Sequence, residues 1–187
     1  MDQKEQIVFD VLYGRRSIRH YQDNRAVEHE KIVKLLQAAM AAPSACNIQP
    51  WEFIVVTDEE TVSQIKGSIE RWGDYNAPLI IVVCSYPALI PWGSDGVIDC
   101  SAAIENILIA ATAMGLGSVW IGGFHPPSIR RILNIPEDVV PQGLVYLGYP
   151  AEQPAPRTQY LEELVHWQRY NPNKQQKPRP GDIIQRD

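Results

Sequence analysis

Apolar positions along the chain recur at two spacings, and these divide it into helices and strands. In "KEQIVFDVLYGRRS", Ile7, Val8, Val11 and Leu12 fall at helical spacing, and Gly14 stands where a C-terminal cap belongs. In "EHEKIVKLLQAAMAA", Ile32, Leu35, Leu36, Ala39 and Met40 form one stripe, and Pro43 ends the helix. Its last turn is nearly all alanine, which lets something approach that end closely. "EFIVVTD" predicts a short strand, followed by a helix from Glu59 to about Ile69. "APLIIVVCS" is a continuous apolar run, as expected of a strand covered on both faces. "DCSAAIENILIAATAMGLG" predicts a helix apolar nearly all round and therefore central, with Glu105 and Asn106 as its strong polar interruptions. "SVWIGGF" predicts a strand running into a glycine turn. "HPPSIRRILNIP" predicts a short helix with proline near its start, and "QGLVYLGYP" a last strand. This mixed order predicts a layered α/β or α+β domain.

From Ala151 onward the pattern changes to prolines, lysines and glutamines around one amphipathic piece, "LEELVHWQRY". We therefore expect a domain over 1–160. Residues 161–187 would form an arm that packs on a partner chain or is partly disordered. The 187 residues, 45% hydrophobic, are enough for an ordinary core without a metal or disulfide staple. A net charge of -5 argues against a general polyanion binder. Cys46, Cys84 and Cys100 show no paired spacing, so a reducing, cytoplasmic setting is the simpler reading. The charged start "MDQKEQIVFD" lacks an apolar signal core. The longest apolar tract, Ile107 to Phe124, is cut by Gly115, Gly117, Gly122 and Gly123 and does not read as a membrane span.

Three stretches could carry chemistry. "GRRSIRHY" sets Arg15, Arg16 and Arg19 around Ser17. Guanidinium forks and a hydroxyl suit a phosphomonoester, and a solvated basic turn pairing with Asp23 or Glu28 is the bland alternative. "APSACNIQPWEF" lines up Ser44, Asn47 and Gln49 on a loop braced by Pro43, Pro50 and Trp51. Such residues also satisfy their own turns. In "GLGSVWIGGF" a dinucleotide fingerprint fails, because Trp120 takes the third glycine position and a helix precedes instead of a strand. Gly122 and Gly123 could let a backbone N–H approach a flat ligand, or simply make a tight turn. His20, His29, His125 and His166 have no metal-ligand spacing, and His125 reads as a loop or helix-cap residue. Cys46 reads as a small packing residue, since no base can be assigned to it. A phosphate anchor without an acid–base team points to a cofactor that does the chemistry.

Four segments in order, "GRRSIRHY", "APSACNIQPWEFIVV", "IENILIAATAMGLGSVWIGGF" and "LVYLGYPAE", resemble the flavin-dependent nitroreductase family over roughly Glu5 to Trp167. The resemblance implies an α+β three-layer sandwich, with a central, mostly antiparallel sheet flanked by helices. It also implies a homodimer with two FMN molecules at the subunit interface. NADH or NADPH would reduce FMN at N5, and a nitroaromatic, quinone or similar acceptor would reoxidise it by a ping-pong mechanism. Dehalogenation, enone reduction, flavin breakdown or flavin binding without turnover are alternatives on the same scaffold. By the same resemblance, Arg15 and Ser17 hold the FMN phosphate. Arg19 sits near the phosphate or the pyrimidine edge, and Arg16 contributes mainly through its backbone. Pro43, Ser44, Ala45 and Asn47 contact the flavin from the other subunit. An amide at Gly122 or Gly123 faces N5, and Arg157 is a second phosphate ligand. Many larger relatives carry a glutamate where Gly122 stands. The segment "SIERWGDYNAP" is short beside their helical insertions, which leaves the substrate open.

Overall fold

A computed structural model describes residues 2–69, 75–155, 160 and 162–174. The elements follow the sequence periodicity. Helix α1 spans Gln3–Gly14 and opens on a reciprocal capping box between Asp2 and Glu5. Helix α2 spans His29–Met40, strand β1 Trp51–Val56 and helix α3 Glu59–Gly67. The Asp58 carboxylate starts α3 by accepting the Thr61 N–H at 2.8 Å. Strand β2 (Leu79–Ser85), helix α4 (Val97–Ala113) and strand β3 (Gly117–Ile121) follow. Helix α5 (Pro126–Leu133) starts on two prolines behind His125 at its N-cap, and strand β4 (Val140–Gly148) is the last strand among the described residues. Short 3₁₀ turns at Ala45–Asn47 and Pro87–Leu89 add to the expected elements.

The four strands form one sheet in the order β1-β2-β4-β3, every pair antiparallel. Every residue of β2 is buried, as its unbroken apolar run predicts. On one face, α2 and α4 bring Leu35, Ala39, Ile104 and Ile107 against Leu79, Ile81, Val145 and Leu147. On the other, α3 and α5 bring Ile65 and Ile129 against Ile80, Val82, Leu144 and Tyr146. The result is the expected α+β three-layer sandwich. Trp51 is buried in the first layer and fixes the start of β1 there.

Helix α4 departs from expectation. Cys100, Ala103, Ile104, Ile107, Leu108 and Ala111 are buried, but Ile98 is 80% exposed and Val97 43%. Its apolar character therefore covers a core face and also an open one. Helix α1 buries none of its residues, and Ile7, Val8, Leu12 and Tyr13 face outward. The outer edge of β1 pairs with no strand among the described residues, and a cleft of ≈ 920 Å³ lies beside it between α2 and α3.

The contacts divide the chain into Met1–Pro154 and Ala155–Asp187. Within the second unit, Glu162–Leu164 forms a 3₁₀ turn and His166 stacks on Tyr170 with centroids 4.3 Å apart.

Candidate functional site

After α1 the chain turns extended and runs along the sheet as an added edge. Ser17 bridges Ser118 of β3 in parallel, and Tyr21 bridges Pro150 beyond β4. The Ile18 N–H donates to Ser118 O at 2.9 Å, the Gln22 N–H to Tyr149 O at 2.8 Å, and Ala151 N–H to His20 O at 2.9 Å. The Glu152 carboxylate accepts the Arg19 N–H at 2.5 Å and the His20 N–H at 3.2 Å. Asn76 accepts the Tyr21 N–H and donates to Tyr21 O, both at 2.8 Å. Gly117 is required at the contact, because a Cβ there would stand 2.7 Å from Ile18 Cγ2.

An extended chain alternates its side chains. Ile18 is buried, and Arg16 shares its cleft of ≈ 580 Å³ with Thr112, Gly117 and Glu152. There the Arg16 guanidinium is engaged by main-chain carbonyls: Tyr13 O at 2.6 Å, Arg15 O at 2.8 Å and Pro154 O at 3.2 Å. Arg15, Ser17 and Arg19 belong to the alternate set. Arg15 Nε stands 3.8 Å from Glu105 Oε1 of α4, not beside Asp23 or Glu28. Arg19 donates through Nε to Tyr75 Oη at 3.1 Å and through Nη1 to Ser17 O at 3.2 Å. The Ser17 hydroxyl has no partner among the described residues. Gly122 and Gly123 follow β3 directly and are exposed, and a Cβ at Gly122 would meet nothing within 4 Å. Four residues of extended chain separate Ser118 from Gly122, ~13 Å at a strand's rise. Arg15, the Ser17 hydroxyl and Arg19 follow one another along this edge, and the parallel bridge runs on toward the bare backbone at Gly122, which suits a long ligand with an anionic end and a flat ring.

The Pro43–Gln49 loop is built differently. Ser44 Oγ accepts the Gln49 N–H at 2.9 Å, and Asn47 Oδ1 accepts from Gln49 Nε2 at 3.0 Å. The polar row thus partly serves its own turn, as the bland reading expected. Pro43, Ala45, Cys46, Asn47 and Gln49 are exposed. Cys46 is therefore not a packing residue; its left-handed backbone (φ 51) turns it out of the core. Cys84 and Cys100 are buried, and burial pushes each thiol up to about 12. No hydrogen bond or ion pair among the described residues joins this loop to the arginine segment. One chain presents the two as separate surfaces. Arg157 lies outside the described residues.

Sequence reasoning missed Glu152, Asn76 and Asp99, which accept backbone amides at the two surfaces. A carboxylate aimed at a distant amide leaves no spacing pattern.

A family model described as the nitroreductase family matches residues 12–78 and 74–149. The chain belongs to the nitroreductase family. It is 41% identical over 169 residues to a protein of Methanothermobacter thermautotrophicus whose name pairs NADH dehydrogenase with NAD(P)H nitroreductase, covering 87% of each chain. A crystal structure of a Bacteroides thetaiotaomicron protein with the same paired name superposes with a TM-score of 0.80 at 34% identity, covering 87% of this chain and 98% of that one. An FMN-dependent nitroreductase of Clostridium difficile superposes with a TM-score of 0.76 at 31% identity, covering 87% and 99%.

Proposed function

We propose that this chain is an FMN-dependent NAD(P)H oxidoreductase that reduces a nitroaromatic, quinone or similar acceptor by a ping-pong mechanism. The observation that carries the reading is the face shared by Arg15, Ser17 and Arg19, locked to the β3 edge that leads to bare Gly122. FMN held there would supply the redox chemistry between NADH or NADPH and the acceptor.

The residues bind and orient. Arg15 and the Ser17 hydroxyl hold the phosphate, a match of fork and hydroxyl to phosphate oxygens. Arg19 places positive charge toward the ring, which stabilises negative charge developing there. Its guanidinium is steadied by Tyr75 and Ser17 O. At Gly122 the absent side chain leaves room for the ring against the strand end.

Pro43, Ser44, Ala45 and Asn47 form a wall contributed by a second subunit. The homodimer reading is supported by α1, which exposes Ile7, Val8, Leu12 and Tyr13, and by exposed Trp92, Val97 and Ile98. In this reading the arm over 161–187 packs on the partner or is partly disordered. Unpaired Cys46, Cys84 and Cys100 suit the cytoplasm. Among the described residues no helix is long and apolar enough to cross a membrane.

Purified protein is expected to be yellow, at dimer mass by light scattering, with one FMN released per chain on denaturation. Anaerobic NADH or NADPH bleaches it, and stopped-flow reoxidation across nitroaromatics, quinones, enones and halogenated phenols identifies the acceptor. Colourless protein that also refuses added FMN overturns the reading.

A further inference from the structure

We propose that Asp99 is a positioning residue that holds the Pro43–Asn47 wall in its ligand-ready shape. The inference rests on the flavin reading above and goes beyond it by assigning what keeps that wall in place. Asp99 is the third residue of α4, behind Gly96 at the N-cap. A carboxylate at this position commonly reaches back to the N-cap amide of its own helix. Here that amide is taken by Ser94, with Gly96 N–H donating to Ser94 Oγ at 3.2 Å, and the Val97 N–H donates to Asp95 Oδ1 at 3.2 Å. Asp99 is thereby released to bond elsewhere, and its Oδ1 accepts the Ala45 N–H at 3.0 Å, 54 residues away in sequence.

The loop it reaches is strained. Cys46, Asn47 and Gln49 have φ of 51, 56 and 53°, three left-handed non-glycine residues within four positions. The cost is roughly 1 kcal/mol each at Cys46 and Gln49 and less at Asn47, whose side chain bonds locally, and such conformations persist where the surroundings over-determine them. Most of the loop's bonds run from loop to loop: Ser44 to Gln49, Gln49 to Asn47, Asn47 N–H to Ser44 O and Ile48 N–H to Ala45 O. At its far end the Tyr86 N–H donates to Pro50 O at 2.8 Å, a main-chain bond that no side-chain substitution removes. Among the described residues, Asp99 is the one side chain outside the loop that hydrogen-bonds its main chain between Pro43 and Gln49.

The test compares Asp99→Ala and Asp99→Asn in the full chain, stripped of flavin and reloaded with FMN. Two quantities are read: the FMN dissociation constant, and hydrogen exchange of the amides in 43–50. Asp99→Ala should speed that exchange and weaken FMN binding about tenfold, the lower range for a hydrogen bond to a charged acceptor. Asp99→Asn keeps a carbonyl oxygen for the Ala45 amide and should stay within about threefold of the parent, as a neutral acceptor does. Faster exchange with unchanged FMN affinity overturns the proposal, as does unchanged exchange. Equal weakening in both variants with a lower thermal midpoint also overturns it, because charge at the helix start would then be the role. A parent protein that binds no FMN overturns the flavin reading itself, and the exchange rates then show whether the clamp stands without it.

Discussion

Two surfaces carry the proposed flavin site, and they hold their shape by opposite means. The arginine segment is held by the sheet: main-chain bonds to β3, Tyr149 and Ala151, and amides taken by Glu152 and Asn76. Its side chains are left over for a ligand because its backbone is satisfied by the fold. The Pro43–Gln49 loop is held largely by bonds within itself, in a strained backbone with one side-chain clamp from α4. The first surface is tied into the sheet. The second stores strain and stands exposed, as suits the wall proposed to be completed by ligand and partner.

The largest expected effect separates ligand binding from stability. Arg15→Ala combined with Ser17→Ala removes two phosphate bonds and should weaken FMN binding about 100-fold, since hydrogen bonds to charged groups are the strong ones. Stability should barely move, because the Arg15–Glu105 pair is partly exposed and such pairs contribute little. Equilibrium dialysis alongside a urea midpoint checks both halves. Unchanged flavin affinity removes the phosphate assignment. Gly117→Ala tests the other half of the comparison. Its Cβ would stand 2.7 Å from Ile18 Cγ2 and 2.9 Å from Ile18 Cβ, so the segment must shift. Overpacking of this kind costs about 1–3 kcal/mol. Flavin retention should fall together with the urea midpoint. A stability loss with intact retention would mean the segment's register does not set the site.

This contrast also explains what was legible in the sequence. The helices and strands carry their own local patterns, so β2, with its unbroken apolar run, reads as doubly buried and α2, with its stripe, as one-sided, and both are. His125 reads as a cap residue and stands at the N-cap of α5. The extended run after α1 was not legible as part of the sheet. It is polar on one side and short, and what recruits it is the absence of a Cβ at Gly117 and a carboxylate 133 residues away at Glu152. Exposure on α4 was hidden for a different reason: Val97 and Ile98 are as apolar as the core residues that follow them. Hydrophobicity marks a surface that avoids water without saying whether the same chain or another covers it. Cys46 was misread because a small residue in a tight loop looks like packing until its φ is known.

The smallest expected effect bears on the strain itself. At φ 51 and ψ 22, Cys46 occupies the left-handed region, where a Cβ costs about 1 kcal/mol and glycine costs almost nothing sterically. Cys46→Gly should therefore raise stability, by about 1 kcal/mol less whatever backbone entropy the unfolded chain gains. The position is exposed, so no packing is lost with the thiol. The same replacement at a right-handed position would destabilise, so the sign of the change in the urea midpoint is the readout. A fall by the full entropy cost of glycine, about 1 kcal/mol, would mean that no strain was relieved, that the loop is relaxed as it stands, and that its shape needs no clamp from α4.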